Sequence, residues 1–187
     1  MKWIRLGLLL MAGVCASSQP AAVQKIWTAF GDLTQAQTTH KKLKYVFTEA
    51  EVNEYLQHAR VVNPRPGLDR MTVQLLPGNY VSTVTVIDFD LVEQSRPGTV
   101  PVLLRPVLSG KREIRLDVRV NAVNGLGTYS VEKAYFENVR IPAFVVEKMI
   151  QAVAARQREK FDLSKPLPLP FGLRSIVTGA HFMTMEN

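Results

Sequence analysis

The chain has 187 residues, of which 47% are hydrophobic and 21% are charged, a composition typical of a globular domain. Its single cysteine excludes a disulfide framework, and its three histidines lack metal-ligand spacing, so no cofactor or metal is expected. The formal charge of +7 favours anionic surfaces in general, and we expect no nucleic-acid partner.

The first 18 residues predict a cleaved export signal. Two basic residues accompany an uncharged apolar run over residues 6–16, which is shorter than the ~20 residues that a membrane-spanning helix needs. Small residues fit cleavage after Ala16 or after Ser18, and the mature protein would then be periplasmic or secreted. Two alternatives stay open: an uncleaved anchor, and a lipoprotein lipidated at Cys15.

Residues 19–44 are interpreted as an N-terminal helix and linker, followed by a single α+β domain over residues 45–187. The helix is predicted from Pro20 to about Gln37, because apolar residues recur there at helical spacing. This stripe packs on the rest of the domain or, alternatively, lies in the headgroup layer of a membrane. Its members are Val23, Ile26, Trp27, Phe30 and Leu33.

A second helix is predicted to begin near Thr48. Thr48 and Glu51 have the spacing of a capping box, in which each side chain satisfies a free backbone N–H of the first turn. An apolar stripe follows at helical spacing, and the proline-rich stretch after Asn63 ends the helix.

From Leu68 onward the apolar residues alternate, which is typical of half-buried strands. Residues 79–91 predict one long strand whose apolar positions change from even to odd numbers. A β-bulge near Val86–Ile87 would return both sets to one face. The clearest alternation covers residues 113–123, whose even positions are predicted to lie inside, and Asn124-Gly125 predicts a hairpin turn after it.

The C-terminal region predicts a third helix over residues 143–160 and a last strand over residues 171–185, broken near Gly179. Strands that are grouped between helices, rather than alternating with them, favour an antiparallel sheet. The predicted fold class is therefore α+β, with a curled antiparallel β-sheet wrapped around helices.

Candidate catalytic residues are scarce. Asp88 and Asp90 are predicted to share a strand face, but that face is the polar one, so a solvated pair is favoured over an acid–base site. The alternating charges of residues 113–119 are interpreted as a solvated surface. Because the sequence also lacks the common nucleophile and phosphate-binding motifs, we predict that the protein is not an enzyme and has no catalytic or metal site.

Several short motifs resemble those of exported bacterial proteins. The segment from Phe47 to Leu56 resembles the T-E-x-E-x-N-x-Y-L helix of the LmeA-like phospholipid-binding proteins and the YceB-like lipoproteins. Residues 86–90, 139–142 and 169–173 are similar to further segments of these families. The resemblance implies a half-barrel of the tubular lipid-binding (TULIP) type, which binds or carries a phospholipid or another apolar small molecule without catalysis.

An apolar groove suits this hypothesis, because each buried methylene of an acyl chain contributes ~0.8 kcal/mol without fixed polar partners. The residues predicted to form the groove wall alternate along the strands. They are Val84, Val86, Phe89, Ile114, Leu116, Val118, Val120, Tyr129 and Val131. The basic balance is compatible with peripheral contact with an anionic membrane, and we expect a monomer. The alternatives are a cell-envelope structural or interaction protein with a filled core, and a hydrolase without a familiar motif.

Overall fold

The computed structural model describes residues 19–100, 102, 105–142, 144–146 and 165–187. The predicted export signal, including Cys15, and nearly all of the predicted third helix lie outside these residues. Those expectations therefore stay predictions from the sequence.

The described elements follow one another in a helix-rich N-terminal part and a strand-rich remainder. The helices are α1 (Ala21–Thr39), α2 (Glu49–Val62), α3 (Phe89–Ser95) and a 3₁₀ turn (Pro170–Gly172). The strands are β1 (Lys44–Thr48), β2 (Leu68–Leu76), β3 (Tyr80–Asp88), β4 (Lys111–Val123), β5 (Leu126–Phe136), β6 (Val139–Ile141), β7 (Leu167–Pro168), β8 (Ser175–Gly179) and β9 (Phe182–Glu186).

All nine described strands belong to one open antiparallel sheet, so the predicted α+β class is confirmed. The long strand β4 lies at its centre and pairs with β5 along one edge. The other edge of β4 pairs with β3 over most of its length and with β8 at Ala122. Two branches leave that edge: β3 and β2 form one, and β8, β9 and β1 form the other.

The two branches are joined by hydrogen bonds around the turn between β2 and β3. The Thr178 hydroxyl donates to the Leu76 carbonyl at 2.8 Å, and the Thr178 backbone N–H donates to Asn79 Oδ1 at 3.0 Å. The Asn79 carbonyl in turn accepts from the N–H of Val120 at 2.8 Å. Asn79 reaches these groups from a left-handed conformation (φ 64°), which asparagine tolerates better than most residues.

Helix α1 covers the branch that contains β8, β9 and β1. Its buried residues include Val23, Ile26 and Leu33, which confirms that the predicted stripe packs on the rest of the protein. Trp27 is the exception, with 55% of its surface exposed. Leu33 packs in one core cluster with Ala122, Leu169 and Leu173, and Ile26 packs in a second with Ala29 and Phe47.

Helix α2 begins as predicted. The Thr48 hydroxyl accepts from the backbone N–H of Glu51, and the Glu51 carboxylate accepts from the backbone N–H of Thr48. The same carboxylate accepts a hydrogen bond from Lys25 Nζ of α1 at 2.7 Å, so the capping box also links the two helices.

The prediction of one long strand over residues 79–91 is wrong in two respects. The observed strand, β3, ends at Asp88, whose side chain caps α3 by accepting hydrogen bonds from the backbone N–H groups of Asp90 and Leu91. Its pairing with β4 is regular, without the predicted bulge near Val86–Ile87. The irregularity lies instead opposite that position, in β2 between Leu68 and Arg70.

The predicted break of the last strand near Gly179 is confirmed: it is the turn of a hairpin between β8 and β9, and this turn contains His181 in a left-handed conformation (φ 64°). The predicted start is wrong, because β8 begins at Ser175 rather than at residue 171. The sequence did not indicate β1, which pairs with β9 from Lys44↔Glu186 to Thr48↔Phe182.

Candidate functional site: the apolar face of the sheet

The pairing of β3, β4 and β5 decides which side chains lie together. Residues that are directly opposite in antiparallel strands project from the same face of the sheet. Ile114, Leu116 and Val118 of β4 are opposite Thr85, Thr83 and Val81 of β3. We call the face that carries these residues the apolar face.

Six of the predicted groove residues lie on the apolar face. Besides Ile114, Leu116 and Val118, these are Val120, Tyr129 and Val131. Val131 is opposite Val118, and Tyr129 is opposite Val120. A register shift in β5 beside Asp117 and Val118 keeps this alignment, because it places one extra residue, Glu132, in the strand. The predicted inside positions of β4 are therefore confirmed as one face.

The prediction of one shared face is wrong for the other three residues. Val84 and Val86 are opposite Arg115 and Glu113, which places both valines on the reverse face. Without a bulge in β3, its even positions cannot change sides. Phe89 lies in α3 rather than in a strand.

The predicted pair Asp88 and Asp90 also does not share a strand face. Asp88 ends β3 and caps α3, whereas Asp90 lies in the first turn of that helix. The Asp88 side chain already accepts two backbone N–H groups at 3.1 and 3.2 Å. This arrangement gives Asp88 the structural role of a helix cap.

The apolar face divides into two parts. At its covered end, defined by Val120 and Ala122, Ala122 is 1% exposed and packs with Leu33, and Val120 packs beside them. In its open part, defined by Ile114, Leu116 and Val118, these three side chains are half-buried, although Ala134 of β5, directly opposite Leu116, is fully buried. Within the described residues, neither core cluster includes the open part.

One cation lies on the apolar face at the end of the open part. Arg112 is opposite Ile87 and two residues before Ile114, so it projects from the same side as Ile114. Its Nη1 lies 4.0 Å from Glu137 Oε1, while its buried Nε has no hydrogen-bond partner. The sequence contains one signal for Arg112: it is the even-numbered residue directly before the alternation of residues 113–123, whose even positions are predicted to lie inside.

The reverse face is the charged face, defined by Glu113, Arg115, Asp117 and Arg119. Its charges are engaged locally: Arg115 lies 3.7 Å from Glu113, and Arg119 lies 3.5 Å from Glu132. The guanidinium of Arg119 also lies 4.4 Å from the ring centre of Tyr80. The prediction of a solvated surface is confirmed for Arg115 and Arg119, which are exposed, whereas Glu113 and Asp117 are half-buried.

The motif that resembles the lipid-binding families has a structural explanation. Side chains of α2 satisfy the outer edge of β2. Asn53 both donates to the Val73 carbonyl and accepts its N–H, each at 2.7 Å. Glu49 accepts the N–H of Leu75 at 2.7 Å, and Gln57 donates to a further β2 carbonyl at 2.9 Å. These contacts close a strand edge that would otherwise be free to pair with another chain.

Apart from the sheet, a polar cleft of about 520 Å³ lies at the C-terminal end of α1, with Asp32, Lys41 and Leu43 in its lining. Tyr45 donates a hydrogen bond to Asp32 at 2.6 Å. This bond to a carboxylate, with burial and the nearby negative charge, raises the pKa of Tyr45 to about 12. The tyrosine is thereby held in its neutral form.

The described residues contain no cluster of three or more His, Cys, Asp and Glu side chains arranged to bind a metal ion. None of the helices in this part of the chain has the length and apolar character needed to cross a membrane. Comparisons with protein-family models, curated proteins and solved structures found no match to the chain. The functional argument therefore depends on the geometry of the sheet.

Proposed function

We propose that the protein binds a lipid, with its acyl chain lying along the open part of the apolar face. The observation that carries this proposal is the alignment of Ile114, Leu116 and Val118 as half-buried side chains outside both described core clusters. Val81 and Val131 lie directly opposite Val118 on the neighbouring strands and widen the same surface.

The chemistry of this surface suits an acyl chain better than a polar ligand. Transfer of each methylene from water to an apolar surface contributes ~0.8 kcal/mol, and it requires no directional partner. Thr83 and Thr85 interrupt the apolar surface only at its β3 side. A surface that offers contact area supports a carrier role, which we propose to be without catalysis.

The resemblance in the sequence supports the same proposal, and it implies that the open sheet is a curled half-barrel of the TULIP type. Export to the periplasm or beyond, with cleavage after Ala16 or Ser18, is part of this proposal. N-terminal sequencing of protein recovered from outside the cytoplasm should then return Ser17 or Gln19. An intact Met1 would contradict cleavage, and a diacylated Cys15 would establish a lipoprotein instead.

The binding test compares two valines on opposite faces of the same sheet. Val118→Trp would occupy the open part, whereas the control Val84→Trp places the same ring on the charged face. With a fluorescent C16 acyl probe, we expect Val118→Trp to weaken binding about tenfold, the equivalent of two lost methylene contacts. Val84→Trp should bind the probe as the wild type does.

Melting temperatures measured on the same variants separate ligand exclusion from damage to the fold. Lost binding by Val118→Trp with an unchanged melting temperature supports the proposal. A lowered melting temperature together with no probe binding by the wild type would contradict it. That second result would favour a cell-envelope interaction protein with a filled core, because overpacking a core costs about 1–3 kcal/mol.

A further inference from the structure

We infer that the open part ends in a headgroup subsite at Arg112, and that the ligand is an anionic amphiphile with a carboxylate or phosphate head. This inference rests on the proposed lipid binding and adds the charge and the orientation of the ligand. The geometry that carries it is a guanidinium on the same face as Ile114, Leu116 and Val118.

The contacts of Arg112 leave the Nε edge of its guanidinium without a hydrogen-bond partner. Its ion pair joins Nη1 to Glu137 Oε1 at 4.0 Å, the far limit of such a contact. Glu137 Oε1 is shared, because it also accepts the backbone N–H of Glu113 at 3.2 Å. The Nε atom, on the opposite edge of the guanidinium, is buried and has no hydrogen-bond partner.

A buried donor without a partner is costly, because it has lost its water without gaining a hydrogen bond. A carboxylate or phosphate can bridge the Nε and Nη2 groups of an arginine with two parallel hydrogen bonds. Such a head would satisfy Nε while the side chain keeps its contact with Glu137 through Nη1. The Arg112 side chain is 36% exposed through its other atoms, so a head approaches it from solvent and reaches the buried Nε when the side-chain torsion angles change.

The position of Arg112 also gives the ligand a direction. Arg112 precedes Ile114 at the end of β4 that is remote from the covered end, where Ala122 packs under α1. A head bound at Arg112 therefore directs the acyl chain across Ile114, Leu116 and Val118 toward Val120. The covered end then sets the length of chain that fits.

The test uses three probes with equal C12 chains: dodecanoate, dodecyl phosphate and the uncharged dodecanol. We expect the wild type to bind at least one anionic probe about tenfold more tightly than dodecanol, because a hydrogen bond between charged groups contributes a free energy of about that size. Arg112→Gln should remove that preference and leave the affinity for dodecanol unchanged. A preference for one anion over the other distinguishes a fatty-acid head from a phosphate head.

The matched control is Arg115→Gln, three residues further along β4 and on the charged face, where Arg115 pairs with Glu113. It removes the same net charge and should keep the preference for anionic probes. Equal losses in both variants would overturn the subsite in favour of general electrostatic attraction. Equal wild-type affinities for all three probes would overturn the subsite but preserve lipid binding, whereas no binding of any probe would overturn both proposals.

Discussion

The covered end and the open part belong to the same face of the same strand, yet they differ in what packs on them. Ala122 is 1% exposed beneath α1, whereas Leu116 and Val118 are half-buried. The amino-acid alternation is equally regular in both parts, so it does not reveal which part is covered. The difference arises from α1 and from the segment after β7, which contributes Leu169 and Leu173 to the covered end.

The largest expected effect comes from placing a carboxylate in each part, which tests whether the covered end is more tightly packed than the open part. Ala122→Asp would bury an unpaired charge and should lower the free energy of unfolding by about 3–5 kcal/mol. Val118→Asp leaves its charge near water and should cost about 1 kcal/mol. Urea unfolding of both variants measures the difference, and equal losses would mean that the open part is as tightly packed as the covered end.

A smaller effect is expected where α2 borders the sheet beside the open part. Asn53→Ala would leave the N–H and carbonyl of Val73 without their partners, at a cost of about 1–3 kcal/mol. Glu54→Ala, an exposed change on the same helix, should stay within about ±0.5 kcal/mol. Thermal unfolding measures both costs, and size-exclusion chromatography should show association only for Asn53→Ala. Two indistinguishable variants would show that the edge contacts contribute little.

The smallest effect concerns the link between the two helices. The hydrogen bond from Lys25, supported by the capping contacts at Thr48, holds the pKa of Glu51 below its usual value of 4.5. A depressed carboxyl pKa stabilises the fold above pH 4.5, and that contribution is lost as the pH falls below this value. Wild type should exceed Glu51→Gln in stability by at most about 1 kcal/mol at pH 7, and this gap should narrow as the pH falls below 4.5. A gap that stays constant below pH 4.5 would contradict the assignment to ionisation.

The sequence predicted what local patterns determine. Thr48 and Glu51 indicated the start of α2, and the alternation after Glu113 indicated the two faces of β4. The side of Val84 and Val86 could not be predicted, because it depends on which strand of a pair contains the irregularity. β1 was missed because its five residues become a strand through pairing with β9, at the other end of the described chain.

Arg112 shows why the candidate site was only partly accessible from sequence. Its place on the apolar face follows from simple alternation, but an arginine interrupts the apolar pattern, so the predicted alternation begins only at residue 113. Its unpartnered Nε depends on the surrounding packing, which no local pattern encodes. Charged residues that break a regular alternation at its end are therefore candidates for ligand contacts.

The hydrogen bonds that join the two branches of the sheet have a consequence for how the protein folds. Thr178 and Leu76 are 102 residues apart in the chain, and the bond from Leu43 to Asn187 closes a separation of 144 residues. Contacts of such long range slow folding, because their loop-closure entropy is lost before the contacts form. During synthesis, β1 has no partner strand until β9 has been made. We therefore expect the complete sheet to form only after β9 has been made.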